Sequence, residues 1–304
     1  MVASATRGAQ IVWLGDAACG DASRVGGKAA NLSRLAARYL VPPGFCLTTA
    51  AFKRGGADHS WAAGDEPRAL PPDLLADLAA AYRALAKRCG VDDPPVAVRS
   101  SAVDEDGSGA SFAGQHETYL NVRGVDDVAA AVVRCWRSLW LPRALSYRRE
   151  RGISIEGASL AVLVQQLVPA EVSGVLFSAN PINKSRDEAV LTVNWGLGES
   201  VVGGTVTPDT FVVQQHPLAM RLRQIGAKRR MTVMTPHGTE EVDVPPGLQT
   251  LPVLDDALVL DAVTLGIDLE AEMGWPVDLE LAWHQAALYL LQCRPITTLS
   301  SSAG

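Results

Sequence analysis

Residues 277–294, VDLELAWHQAALYLLQCR, restrict the fold more than any other stretch of the chain. Apolar and polar side chains alternate on both sides of a short break, the pattern of two strands closed into a hairpin. A three-residue loop at 285–287 sets Leu279 against Cys293, Leu281 against Leu291 and Trp283 against Tyr289. All six then share one apolar face, and a slip of one residue would scatter them. The other face pairs Glu280 with Gln292 and Asp278 with Arg294. A carboxylate beside an amide oxygen offers hard ligands for a Mg²⁺ that also holds phosphate oxygens, and Arg294 lies within reach of a transferring phosphoryl group. A solvated hairpin face would carry the same residue types, so this pattern alone leaves both readings open.

The rest of the chain supplies the partners such a hairpin needs. Helical spacing of Leu258, Leu265 and Leu269 predicts a helix over 254–273, and Leu74, Leu75, Leu78 and Leu85 predict another over 73–88. Short apolar runs predict strands at 45–47, 96–99, 119–122, 160–168, 174–178 and 189–194, with a β-meander over 210–247 turning at 235–238. A further helix is expected over 125–151, with a break at Pro142, and a surface loop over 54–72. Helices and hairpins without strict βαβ alternation predict an α+β fold. The net charge of −6, with no long run of one sign, gives no reason to expect a nucleic-acid or membrane-surface partner. No apolar run is long enough to span a bilayer, the first ten residues lack a signal core, and the cytoplasm is the default location. Five dispersed cysteines and five dispersed histidines show no metal-ligand spacing.

Three further segments carry candidate chemistry. Gly26-Gly27-Lys28 opens a helix, where free amides and an ammonium favour an anion, although tight helix packing would use the same glycines. It is not a Walker A loop, because Ala22 and Ala29 replace required residues. Arg99 leaves a strand into a polar loop and serves either a phosphate or an ion pair with Asp104, Glu105 or Asp106. The small-residue loop 108–114 could bring backbone amides to a phosphate. Gly196-x-Gly198 lacks the third glycine of a dinucleotide fingerprint, since position 201 is Val, and reads as a flexible lid or turn with Glu199 as a nearby carboxylate.

Taken together, VGGKAANL at 25–32, VPPGFCLTT at 41–49, AVRSSAVDED at 97–106, SFAGQHETYLNV at 111–122, SGVLFSANP at 173–181, NWGLGESVVGG at 194–204 and the closing VDLELAW and LLQCRPIT occur in one order. The chain resembles the ATP-binding domain of the phosphoenolpyruvate synthase and pyruvate phosphate dikinase family, which includes rifampicin phosphotransferases. The resemblance implies an ATP-grasp type fold whose two lobes, 1–168 and 169–304, clamp the nucleotide. It implies that Lys28 and Arg99 grip ATP phosphates, that Gly114 and Gln115 lie in the loop over them, and that Gln165, Gln166 and Leu167 face the adenine. Glu280 and Gln292 resemble the family's Mg²⁺ ligands, and Arg294 its catalytic phosphate-contacting arginine. The family's phosphohistidine carrier and acceptor-binding domains have no counterpart after Thr297. The expectation is therefore a stand-alone Mg·ATP-binding subunit that passes a phosphoryl or pyrophosphoryl group to a separate histidine carrier and on to a small-molecule acceptor. A direct small-molecule kinase and a non-catalytic ATP-binding regulatory subunit are the alternatives. Ala29, in place of a more usual glycine, and Gly107-Ser108-Gly109 depart from the family pattern.

Overall fold

The computed structural model describes residues 9–56, 69–103, 117–150, 152–154, 157–204 and 206–299. The chain divides into two compact units, one of residues 1–37 and 43–167, the other of residues 38–42 and 168–304. Both are built from helices on antiparallel sheet, the α+β class expected. Among the described residues no helix is long and apolar enough to cross a membrane.

The first unit contains β1 (Ile11–Trp13), α1 (Ala22–Leu35), β2 (Gly44–Leu47), α2 (Thr49–Arg54), α3 (Pro72–Cys89), β3 (Val96–Ala102), β4 (Thr118–Val122), α4 (Val125–Ser138), α5 (Pro142–Glu150) and β5 (Leu160–Gln166). Its sheet runs β1-β2-β5-β3-β4. Alternation along the strands divides their side chains between two faces. Phe45, Leu47, Val98, Val162 and Val164 pack with Leu74, Leu78 and Leu85 of α3 and with Val128, Val132 and Trp136 of α4. The intervening residues, Cys46, Ala97, Arg99, Ser101, Leu163 and Gln165, turn to the opposite face, where α1 packs on β3 and β5. The helix expected over 125–151 is two helices: α4 stops at Ser138, and α5 begins on Pro142, whose missing N–H is harmless in a first turn.

The second unit contains β6 (Val172–Phe177), β7 (Glu188–Trp195), α6 (Glu199–Val202), β8 (Asp209–Gln214), β9 (Ala219–Gln224), β10 (Arg230–Thr235), β11 (Gly238–Asp243), α7 (Asp256–Met273), β12 (Val277–His284) and β13 (Ala287–Pro295). Six strands form one antiparallel sheet, β13-β12-β6-β7-β8-β9. Helix α7 is capped by Asp255, which accepts from Leu258 N at 2.9 Å, and it buries Val259, Ala262, Val263 and Leu269 against one face. Gly266 lets it lie close, since a Cβ there would fall 2.6 Å from Leu176 Cδ2. Val175, Phe177, Thr192 and Glu280, on the other face, are only half-buried.

The β-meander expected over 210–247 is split. Strands β8 and β9 stay in the large sheet, while β10 and β11 form a separate ribbon turning through two residues, with Thr235 paired to Gly238. One tie between the ribbon's root and the sheet is an ion pair with both side chains fully buried, Lys228 Nζ to Asp209 Oδ1 at 2.6 Å. Backbone groups complete it. Gly226 N and Val253 N donate to the two carboxylate oxygens at 2.9 Å each, and Lys228 Nζ also donates to Gly226 O at 2.9 Å. A pair desolvated this fully is destabilising when broken from one side, because the remaining charge keeps its burial and loses its partner. Lys228→Met is expected to lower the unfolding free energy by about 3–5 kcal/mol, measured by urea denaturation followed by tryptophan fluorescence. A loss within experimental error would mean the ribbon is held by other contacts.

Candidate functional site

Two clusters gather most of the candidate residues, one in each unit. In the first, α1 bends at Gly26 (φ 75°, ψ 165°), a backbone conformation open to glycine, so that a fresh helix start follows it. The anion reading assigned the amides there to a ligand. The structure gives one of them an internal acceptor instead: Ala29 N donates to Ser101 Oγ at 3.3 Å. Strand β3 approaches so closely that a Cβ on Gly26 would lie 2.3 Å from Ser101 O. Lys28 is half-buried on this bend, and its positive charge reaches the thiol of Cys135. Burial pushes that thiol well above its ordinary range and Glu117 adds to the rise, while Arg134 and Lys28 oppose it.

Arg99 lies on β3 between Thr118 of β4 and Leu163 of β5, on the same face as Ser101. Gln165 shares that face and is buried at 2% exposure between Gly44 and Ala97. Gln166 points by alternation to the face bearing α3 and α4. Its amide donates to Pro43 O at 2.9 Å, and that of Leu167 to Pro95 O at 2.8 Å, fixing the backbone where the chain leaves this unit. The structure thus brings Arg99, Gln165 and the bend carrying Lys28 to one face, and Gln166 falls outside that group. Gly114 and Gln115, the loop 108–114, and Asp104, Glu105 and Asp106 lie outside the described residues, as does most of the loop expected over 54–72.

In the second unit, Glu280 stands opposite Gln292 and Asp278 opposite Arg294, as the alternation predicts. Beyond Glu280 the register differs from the expected one. The loop has two residues, Gln285 and Ala286, both at positive φ (49° and 62°), and β13 carries one extra residue. Leu281 consequently pairs with Leu290 rather than Leu291, and Trp283 with Leu288 rather than Tyr289. The bulge changes side-chain parity along β13. It lets Leu290, 1% exposed, join Cys293 on the α7 face, while Gln292 and Arg294 stay beside the carboxylates.

Arg294 Nε donates to Asp278 Oδ2 at 2.8 Å. Asp278 is 5% exposed, and its Oδ1 has no hydrogen-bond partner among the described residues. Burial raises its pKa to about 6, Arg294 opposes the rise, and the neighbouring charge of Glu280 reinforces it. A buried carboxylate oxygen without a donor, on a group that the neighbouring Glu280 repels, fits a site that accepts a cation. The donor set is that of Mg²⁺, which takes one or two carboxylates and completes its shell with water and phosphate oxygens. Among the described residues no group of three or more His, Cys, Asp or Glu exists that could hold a metal by itself.

Glu199 begins the four-residue α6 and is exposed; its Oε2 accepts from Thr239 Oγ1 of β11 at 3.0 Å. Of the two forms expected for the segment before it, a flexible lid or a turn, it takes that of a fastened turn. Gly196 N donates to Glu171 O and Leu197 N to Thr232 O, each at 2.8 Å. Two residues with no role assigned from sequence emerge as organisers. Asn194, fully buried, donates to Ser200 Oγ and Arg230 O, and so links β7, α6 and β10. Ser101 joins β3 to α1 across 72 residues of sequence, a separation no local pattern signals.

A family model described as pyruvate phosphate dikinase, AMP/ATP-binding domain, matches residues 66–304. The chain belongs to that family. It is 38% identical to a probable phosphoenolpyruvate synthase of Methanocaldococcus jannaschii, over 95% of this chain and 27% of that protein. Identity is 35% with the phosphoenolpyruvate synthase of Pyrococcus furiosus, over 96% of this chain and 44% of that one. A rifampicin phosphotransferase of Streptomyces is 36% identical over 96% of this chain and 36% of its own length. The chain therefore spans less than half the length of these relatives.

The raised pKa of Asp278 sets a pH dependence. The folded state holds its proton up to about pH 6, whereas the unfolded carboxyl titrates near its ordinary value of 3.8. Stability from this group is fully present below the unfolded value and is lost as pH rises through the folded one. In metal-free buffer the unfolding free energy of the wild type should fall between about pH 4 and 6 relative to that of Asp278→Asn. Parallel denaturation curves across that range would show that the carboxyl titrates normally.

Proposed function

We propose that this chain binds Mg·ATP and is the nucleotide-binding module of a dikinase-type phosphotransferase, with an ATP-grasp type fold whose lobes are residues 1–168 and 169–304. The observation that carries the reading is the hairpin register, which sets Glu280 beside Gln292 and Asp278 beside Arg294 on one half-open sheet face. Family membership supports ATP as the nucleotide.

In this reading Glu280 and Gln292 hold Mg²⁺, which when bound neutralises phosphate charge and orients the tail. Lys28 and Arg99 bind phosphate oxygens, with Gly114 and Gln115 in the loop over them. Gln165 lines the base, with the backbone of Gln166 and Leu167 beside it, and Glu199 is a carboxylate of the outer shell. Arg294, held in orientation by Asp278, stabilises the charge that develops as the phosphoryl group transfers. The histidine that receives a phosphoryl or pyrophosphoryl group belongs to a carrier, and a small-molecule acceptor follows. Carrier and acceptor-binding parts are proposed as partners because the chain accounts for less than half of its relatives.

Calorimetric titration with ATP, with and without Mg²⁺, tests the nucleotide site. The wild type should bind more tightly with Mg²⁺, and Glu280→Ala should lose that dependence. Arg294→Ala should retain most of the affinity while lowering phosphoryl transfer to a supplied carrier by about a hundredfold or more. Lys28→Ala should instead weaken binding itself. The reverse order for Arg294 and Lys28 would overturn the two assignments, and Mg²⁺-independent binding by the wild type would overturn the metal site.

A further inference from the structure

We propose that Ser101 is a positioning residue that fixes Lys28 relative to Arg99 and thereby sets the preference for a polyphosphate tail over a monophosphate. The inference rests on the Mg·ATP reading and names a residue that the reading does not use.

Three observations converge on it. First, the helix that restarts after Gly26 has no capping side chain of its own, because Gly26 and Gly27 stand where one would be. Ser101 supplies the cap from another element. Its hydroxyl accepts from Ala29 N at 3.3 Å, the amide that a capping serine would take had it occupied position 26. Second, Gly26 and Ser101 are in contact on the other side of Lys28. A Cβ on Gly26 would lie 2.3 Å from Ser101 O and 2.4 Å from Ser101 Oγ. The backbone of Lys28 is thus bracketed by Ser101 at positions 26 and 29. Third, Ser101 is fully buried on β3, two residues beyond Arg99 and on its face of the sheet. One side chain therefore joins the segment that bears the ammonium to the strand that bears the guanidinium.

The functional consequence follows from geometry. Two cations on one phosphate tail act through their spacing, and a displacement of about 1 Å at such a site is costly. Removing the Ser101 hydroxyl leaves the Ala29 amide without this acceptor and lets the glycine bend relax. Lys28 then shifts relative to Arg99. The loss should fall on the phosphates and spare the part of the nucleotide that AMP shares with ATP. A merely structural contact would weaken both nucleotides alike.

Ser100 provides the control. It is equally buried, and its hydroxyl donates to Glu117 O at 3.3 Å, but its side chain lies on the opposite face of β3. The experiment measures dissociation constants of ATP and AMP in Mg²⁺ buffer for the wild type, Ser101→Ala, Ser100→Ala and Gly26→Ala, with thermal melts of each. The expected result is a fall in the AMP-to-ATP ratio of dissociation constants by about fivefold to tenfold in Ser101→Ala, with the ratio unchanged in Ser100→Ala. Gly26→Ala forces a Cβ against Ser101 and should move the ratio the same way. Ser101→Cys, which keeps the shape of the side chain but accepts a hydrogen bond only weakly, decides the matter if Ser101→Ala does not fold. A wild-type ratio well above one that survives in the folded variants overturns this inference alone. A wild-type ratio near one overturns the phosphate-tail contacts assigned to Lys28 and Arg99 and this inference with them, whereas no ATP binding in Mg²⁺ buffer overturns the Mg·ATP reading itself.

Discussion

The pairing of β12 between β6 and β13 is the constraint on which the second unit turns. Leu279 and Leu281 must meet α7, and Leu176 of β6 and Cys293 of β13 must meet it beside them. Once that apolar face is set, period-two alternation leaves Asp278 and Glu280 no choice of side. The hydrophobic effect thereby does electrostatic work. It holds two carboxylates near each other and keeps one of them mostly out of water, an arrangement that neither residue would adopt unaided. Arg294 answers part of that cost, and the pKa of Asp278 stays raised despite it.

In the first unit the corresponding constraint is a distance of approach. Helix α1 can lie on β3 because residue 26 has no side chain, and the absence of a Cβ matters as much as the positive φ. The two units thus place their charged groups by different means. One uses sheet register, which is set by neighbours in the ladder, and the other uses close contact between segments far apart in sequence. Both leave the charged groups on rigid supports, a condition for electrostatic preorganisation.

How much of this the sequence could reveal follows the same division. Pairing of Asp278 with Arg294 and of Glu280 with Gln292 was legible, because alternation and burial together define a register. The two-residue turn and the bulge were not. Gln285 and Ala286 carry none of the usual glycine or asparagine marks of a turn with positive φ. The adjacent Leu290 and Leu291 break the alternation without saying which of them changes face. The α+β class was legible from the mixture of periods, whereas the splitting of the 210–247 meander, with the Lys228–Asp209 ion pair at the ribbon's root, had no local signal. Ser101 was seen only as part of the motif around Arg99. Its partner amide is 72 residues away, and no window of sequence contains both.

Residues 38–42 belong to the second unit although they interrupt the first in sequence. Leu290 N donates to Leu40 O at 2.9 Å, and Arg38 and Tyr39 both bind Glu272 of α7. The five residues therefore act as a selvedge along β13, an outer strand of the large sheet. The opposite edge, β9, carries the exposed Arg221 and Arg223, charges that discourage strand-to-strand pairing. A fragment begun at Val168 would keep every strand of that sheet but leave β13 without this border. Its edge would then be available to another copy, so dissecting the protein at the obvious boundary would produce a sticky half.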